Sequence, residues 1–302
     1  MTREGPSAEE GSSATSSLLY RYGDGIIYTV QELRPQRAEY PYNLPMTRLM
    51  KMRTFLIYLF LVSAALVTNF VESVNPAQEK PVVPVPRNED KVWVDKHNEL
   101  LEKAKKGGID LYFEGDSITR RWEATHKENW ELNFKGWKPG DFGAGGDRTE
   151  NVLYRLENGE LDGVNPKVIV MLIGTNNVGF EPVKGSDDAL VAEVTSGIKA
   201  CLEVIRRKSP HTRILLTGIT PRNTKGSTAL MPTINRINER IAGLADGKSI
   251  RYLNINDKLA DKDGKLFEGV TEDGLHLTDK GYQIWADAMK PILTEWLGPP
   301  SS

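Results

Sequence analysis

The sequence predicts an α/β fold, a parallel sheet covered by helices on both sides. Two patterns carry that expectation. Short runs rich in β-branched residues lack polar alternation, as strands buried on both faces do, and amphipathic stretches of helical period separate them. Alternation of this kind builds a parallel sheet through crossover connections. A chain of 302 residues, 39% hydrophobic and 26% charged, has room for one such domain plus tails, or for two small domains.

The elements follow in order. Residues 109–113 read as the first strand, and the Gly and Ser after it mark a turn that opens a helix. Helices over 148–156, 189–207 and 234–244 alternate with strands over 167–173, 213–219 and 250–255, and a last helix covers 279–296. In open parallel sheets ligands sit beyond the carboxyl ends of the strands, so the turns leaving these strands are the places to look for chemistry.

Upstream of the domain the composition changes. Residues 1–45 are rich in Ser, Glu, Arg and Pro without a sustained apolar period, and are expected to be disordered or to lie upstream of a true start at Met46, Met50 or Met52. Arg48, Lys51 and Arg53 then precede an apolar run over 55–67. Charge followed by an apolar run is a targeting pattern, so residues 46–74 are expected to be a signal peptide or a membrane anchor. The run is shorter than the roughly 20 residues that span a bilayer, which favours a signal peptide. Membrane association through 54–71 and a buried core helix are the other readings. Export makes the expected location secreted or periplasmic. Pro- and Val-rich residues 75–90 read as a linker, leaving 91–298 as the domain.

Charge and cysteine content exclude some functions. A net charge of −2 gives no field to gather nucleic acid. Cys201 is the only cysteine, which rules out an intrachain disulfide or a thiolate metal cluster. Residues 243–249 fall one residue short of a phosphate loop, and residues 143–148 end in Arg where a dinucleotide fingerprint needs Gly. Asp261-Lys262-Asp263-Gly264 hints at a calcium loop, but Leu259 and Val270 occupy its terminal ligand positions. No Gly-x-Ser-x-Gly elbow is present.

Glu114-Gly115-Asp116-Ser117-Ile118-Thr119 carries the strongest chemical signal. A Ser that opens a helix gains the free N–H groups and dipole of the helix start, which stabilise an oxyanion; a simple N-cap is the structural alternative. A nucleophilic Ser needs a base and a group that orients it. Of four histidines, His97 and His211 lie in contexts typical of solvated residues, and His126 follows Ser117 closely on the outer part of the next helix. His276 follows Asp273 by three residues, so the carboxylate can accept from Nδ1–H and leave Nε2 free; a mere surface tether is the alternative. Gly143-Ala144-Gly145-Gly146-Asp147-Arg148 and Gly174-Thr175-Asn176-Asn177 offer backbone and amide donors to a reacting carbonyl, or are simply tight turns.

Taken in order, Gly115-Asp116-Ser117, Gly146, Asn176 and Asp273-x-x-His276 resemble the blocks of the SGNH (GDSL) hydrolase family. Within it the chain looks most like the catalytic subunits of platelet-activating factor acetylhydrolases, through residues 142–149, 152–156, 174–177 and 275–278. The resemblance covers roughly 91–297. It implies a flavodoxin-like three-layer α/β/α fold with a central parallel five-stranded sheet, and ester hydrolysis without a cofactor or metal. It also implies Ser117 as nucleophile, His276 as base and Asp273 as its orienting partner, with the Ser117 and Gly146 N–H groups and the Asn176 side chain as oxyanion hole. Asn177 departs from the Asp common at that position, and the amino-terminal extension has no counterpart in the cytosolic acetylhydrolases.

No long insertion separates the blocks, which suits short acyl groups, acetyl above all, on a carbohydrate, lipid or small alcohol. A surface carbohydrate-binding protein on the same scaffold is the non-enzymatic alternative. Trp122, Trp130 and Trp137 read either as a sugar platform or as core.

Overall fold

The computed structural model describes residues 18–21, 27–30, 82–179 and 181–301. The chain divides into two compact units, Met1–Pro76 and Ala77–Ser302. In the first, β1 (Leu18–Arg21) and β2 (Ile27–Val30) pair antiparallel, Leu18 opposite Val30. The sequence predicts no element there. The expected targeting segment at 46–74 lies outside the described residues, as does the linker up to residue 81. Among the described residues no helix is long and apolar enough to cross a membrane.

The second unit runs α1 (Lys91–Lys106), β3 (Leu111–Gly115), α2 (Ser117–Thr125), α3 (Lys127–Phe134), β4 (Pro139–Gly143), α4 (Thr149–Glu157) and β5 (Val168–Leu172). It continues through α5 (Thr175–Val178), α6 (Asp188–Lys208), β6 (Arg213–Thr217), α7 (Met231–Ala242), β7 (Ile250–Leu253), α8 (Asn256–Leu259) and α9 (Asp279–Leu297). The five strands of this unit form one all-parallel sheet in the order β4-β3-β5-β6-β7, the flavodoxin-like order with its switch point between β3 and β5.

Period-two geometry sorts each strand's side chains onto two cores. Tyr112, Ile169, Met171, Ile214 and Leu216 face one core with Val152, Ile198, Ile205 and Ile237 from α4, α6 and α7. Leu111, Phe113, Val168, Val170 and Leu215 face the other, with Trp122, Trp130, Phe134, Trp285 and Leu293 from α2, α3 and α9. Every residue of β3 and β5 is buried, which explains the unbroken apolar sequence of β5 and of β3 up to Glu114. β7 differs from the expectation for residues 250–255: it is the edge strand and only half buried, and Arg251 on it pairs with Glu295 at 2.6 and 2.5 Å.

Two features were not visible in the residue pattern. β4 begins on Pro and contains two glycines, which an edge strand tolerates and a sequence reading rejects. Both glycines are packing requirements: a Cβ on Gly140 would meet Ile109 Cδ1 at 2.7 Å, and one on Gly143 would meet the Arg120 nitrogen of α2 at 2.3 Å. Residues 82–90 were expected to be linker, yet they are tied to the domain. Val85 N donates to Glu150 O at 3.0 Å, and Asn151 Nδ2 donates to Val85 O at 2.9 Å. Trp122, Trp130 and Trp137 are all core. Trp122 stacks on Tyr282 and Trp285 with centroids 4.6 and 4.9 Å apart, which removes the sugar-platform reading.

Candidate active site

The turn after β3 is shaped by its neighbours. A Cβ on Gly115 would lie 2.3 Å from Thr119 Oγ1 and 2.4 Å from Leu172 O, so only glycine lets α2 start this close to the sheet. Asp116, not Ser117, is the N-cap of α2, accepting from Ile118 N at 2.9 Å. Ser117 is therefore released from capping and stands at the first helical position. Burial pushes the Asp116 carboxyl up to about 7, against the pull of the Ile118 N–H.

His276 comes from the loop that enters α9. Its Nε2 lies 3.0 Å from Ser117 Oγ, and its Nδ1 lies 2.7 Å from Asp273 Oδ2. Asp273 Oδ1 also accepts from Leu275 N at 3.1 Å and His276 N at 2.8 Å, around Gly274 at φ +82°. Partial burial opposes the Asp273 charge, but the hydrogen bonds from the His276 ring and backbone outweigh it and hold the carboxyl below its ordinary range. An ionised Asp273 puts the ring proton on Nδ1 and aims the Nε2 lone pair at the Ser117 hydroxyl. The loop is pinned from several sides: Glu272 N donates to His276 O at 2.8 Å, Asn223 N to Gly274 O at 2.7 Å, and Glu272 pairs with Arg121 of α2.

The other wall is the loop from β4 into α4 and the turn after β5. Asn176 Nδ2 donates to Asp147 O at 2.8 Å, which ties the Asn turn to the Gly145-Gly146 loop, where Gly146 takes φ +79°. Buried Arg222 holds the Asn turn from below, donating to Thr175 O at 2.7 Å. Asn177 points away and caps α4: its Oδ1 accepts from Thr149 N at 3.0 Å while its Nδ2 donates to Glu150 Oε2 at 3.1 Å. An Asp here would face Glu150 with like charge, so the departure at this position suits its surroundings.

Beneath these loops lies a buried ionic cluster. Arg155 donates to Glu114 Oε1 and Asp147 Oδ2, each at 2.7 Å, to Glu160, and to the carbonyls of Phe142 and Gly115 at 2.9 and 3.1 Å. Burial pushes Glu114 up to about 8 against the pull of Arg155, with Glu160 adding to the rise. Sequence reasoning missed the cluster. Its one trace was a cation, Arg155, on the same helix face as buried Val152 and Leu156. Two expectations about histidines are corrected. His97 is not solvated: its Nδ1 lies 2.6 Å from Glu160 Oε1, and its ring stacks on Trp93. His126 sits at the α2–α3 junction, mostly buried, with Nδ1 2.8 Å from Asp279 Oδ1.

The Asp116 carboxyl has a measurable signature. Its folded value of about 7 lies above the ordinary 3.9 of an unfolded chain. Its contribution to stability is therefore complete below pH 4 and is lost as the pH rises through about 7, a change on the order of 4 kcal/mol. Asp116→Asn should lose less stability than the wild type between pH 5 and pH 8 in urea denaturation. Parallel curves for the two proteins would contradict the burial account.

Comparison with known proteins agrees with this geometry. The model of the GDSL-like lipase/acylhydrolase family matches residues 113–284. The platelet-activating factor acetylhydrolase IB subunit alpha1 of Bos taurus is 31% identical over 224 residues, 74% of this chain and 91% of that protein. The alpha2 subunit of Rattus norvegicus is 32% identical over 204 residues, 67% of this chain and 82% of that protein. Among solved structures, a GDSL-like lipase from Bacteroides thetaiotaomicron aligns with a TM-score of 0.54 at 20% identity, covering 66% of this chain and 97% of that one, a likeness of fold. With its five-stranded parallel sheet and a Ser-His-Asp chain at the strand ends, the protein belongs to the GDSL-like lipase/acylhydrolase family and is a carboxylic ester hydrolase.

Proposed function

We propose that the protein is a serine esterase that removes short acyl groups, acetyl above all, by way of an acyl-enzyme on Ser117. The unbroken hydrogen-bonded chain from Ser117 Oγ through His276 to Asp273 is the observation that carries this reading. As Ser117 Oγ bonds to the ester carbonyl carbon, its proton passes to His276 Nε2. The oxyanion that forms is stabilised by the Ser117 and Gly146 N–H groups and the Asn176 amide, each such donor being worth roughly 3–4 kcal/mol in known sites. Collapse breaks the bond to the alcohol, which leaves with the proton held by His276. Water then gives a proton to His276 and attacks the acyl carbon, and cleavage from Oγ releases the acid and returns the proton to Ser117. Asp273 keeps the ring in the required tautomer throughout and stabilises the imidazolium.

The acyl preference is drawn from relatives named acetylhydrolases at about 30% identity, together with the short connections between the site blocks. The alcohol is a carbohydrate, a lipid or a small alcohol. Export, as a secreted or periplasmic protein, follows from the basic-then-apolar pattern at 46–74. A purely carbohydrate-binding role on this scaffold would leave the Ser117–His276–Asp273 alignment without a use.

Purified protein should hydrolyse p-nitrophenyl acetate faster than the octanoate, and Ser117→Ala should cut turnover at least about 10³-fold. The fold should survive, since a change at a partly exposed first helical position is worth within about 0.5 kcal/mol. A folded Ser117→Ala variant with near-wild-type turnover would rule out the nucleophile, and a preference for octanoate would rule out the acyl class.

A further inference from the structure

Arg87 lies within the segment that reads as linker, yet it grips the glycine loop of the site. Its Nη1 donates to Gly145 O at 2.6 Å and lies 3.3 Å from Asp147 Oδ1, while its Nη2 donates to Asp90 Oδ2 at 2.5 Å. Asp90 caps α1 through Trp93 N, and Trp93 Nε1 donates to Asp147 Oδ1 at 2.7 Å. The guanidinium is thus held at both ends, against α1 and against the loop.

The Gly145 carbonyl and the Gly146 N–H belong to one planar trans peptide, so the two groups point in opposite directions. Fixing the oxygen fixes where the N–H points. A cationic donor on the oxygen also polarises the peptide and makes its N–H a stronger donor. This peptide joins two glycines, the second at φ +79°, so no side chain of its own resists rotation. Arg87 also stands over the loop: a Cβ on Gly146 would lie 3.1 Å from Arg87 Nη1.

We propose that Arg87 is a positioning residue for ester hydrolysis, holding the Gly145 carbonyl so that the Gly146 N–H is aimed at the oxyanion. The inference rests on the reading of Gly146 as an oxyanion donor. The oxyanion exists in the tetrahedral intermediate and its flanking transition states but not in the bound ester, so misaiming one of its donors lowers kcat and spares KM. Outright removal of such a donor costs 10²–10³-fold in known enzymes, and misalignment should cost less, about 10–100-fold.

The test uses the full chain with p-nitrophenyl acetate and two variants. Arg87→Met keeps the packing stem and removes the donors; Arg87→Lys keeps the charge but cannot span Gly145, Asp147 and Asp90 together. Arg87→Met should lower kcat about 10–100-fold with KM within about threefold. Methylboronic acid, whose tetrahedral adduct on Ser117 mimics the oxyanion, should bind more weakly by a similar factor. Arg87→Lys should recover kcat only in part. Wild-type kcat in folded Arg87→Met, a loss confined to KM, or full recovery by Lys would each overturn the proposal. If Arg87→Met fails to fold, Arg87→Lys decides, unchanged kcat overturning it and a loss of kcat at constant KM supporting it. Asn176→Ala in the same assay separates the two ideas, because a silent Asn176→Ala together with a silent Ser117→Ala would sink the esterase reading itself.

Discussion

The guanidinium of Arg155 has no exposure to solvent, and the architecture of the site depends on how its charge is met. It holds the Gly115 carbonyl at the end of β3, the Phe142 carbonyl near the end of β4, and the carboxylates of Glu114, Asp147 and Glu160. Those are the strand ends from which the Ser117 turn and the Gly145-Gly146 loop grow. A buried cation of this kind costs several kcal/mol to desolvate, and removing one of its partners typically costs about 3–5 kcal/mol. Its merit here is geometric: one side chain fixes two neighbouring strand ends and the loop beyond them. Trp93 and His97 extend the same network to α1 through Asp147 and Glu160.

On that fixed floor the members of the Ser117–His276–Asp273 hydrogen-bonded chain arrive from distant parts of the sequence. Ser117 is held by its helix start, and His276 reaches it from a loop 159 residues later. That loop and the start of α9 lean on α2 and the α2–α3 junction through Arg121–Glu272 and His126–Asp279. The two carboxylates nearest the chemistry are tuned in opposite directions. Asp116 is buried and pushed up toward neutrality, where it serves as a cap, whereas Asp273 is partly exposed and held ionised by three hydrogen bonds, as the partner of an imidazole must be. Asn176 and Arg222 complete the frame by joining the Asn turn to the glycine loop and to the segment after β6.

Much of this was legible in the sequence because it is local. Four strands and the helices α4, α6, α7 and α9 follow from apolar period, whereas the 16-residue α1 was not read from it, and Ser117, Asp273 and His276 follow from short motifs at strand and helix boundaries. What stayed hidden depends on contacts between remote segments. β4 is a strand because it pairs with β3, not because its residues favour extension, and Ile109 and α2 leave room only for glycine at 140 and 143. Residues 82–90 have the composition of a linker and the hydrogen bonds of a strap. By their neighbours in sequence His97 looks solvated and His126 looks like an outer helix residue, but both meet carboxylates brought from elsewhere. The N-cap assignment also needed the backbone, since Asp116 and Ser117 are equally suited to it by residue type.

The central claim, that Ser117 is a nucleophile made reactive by His276, is tested most directly by covalent labelling. Diethyl p-nitrophenyl phosphate, a reagent for activated serines, followed by peptide mass spectrometry should give one diethylphosphoryl adduct, on the peptide containing Ser117. His276→Ala should slow its formation by orders of magnitude while the protein stays folded. An adduct on a different residue, or undiminished labelling of Ser117 without His276, would contradict the account.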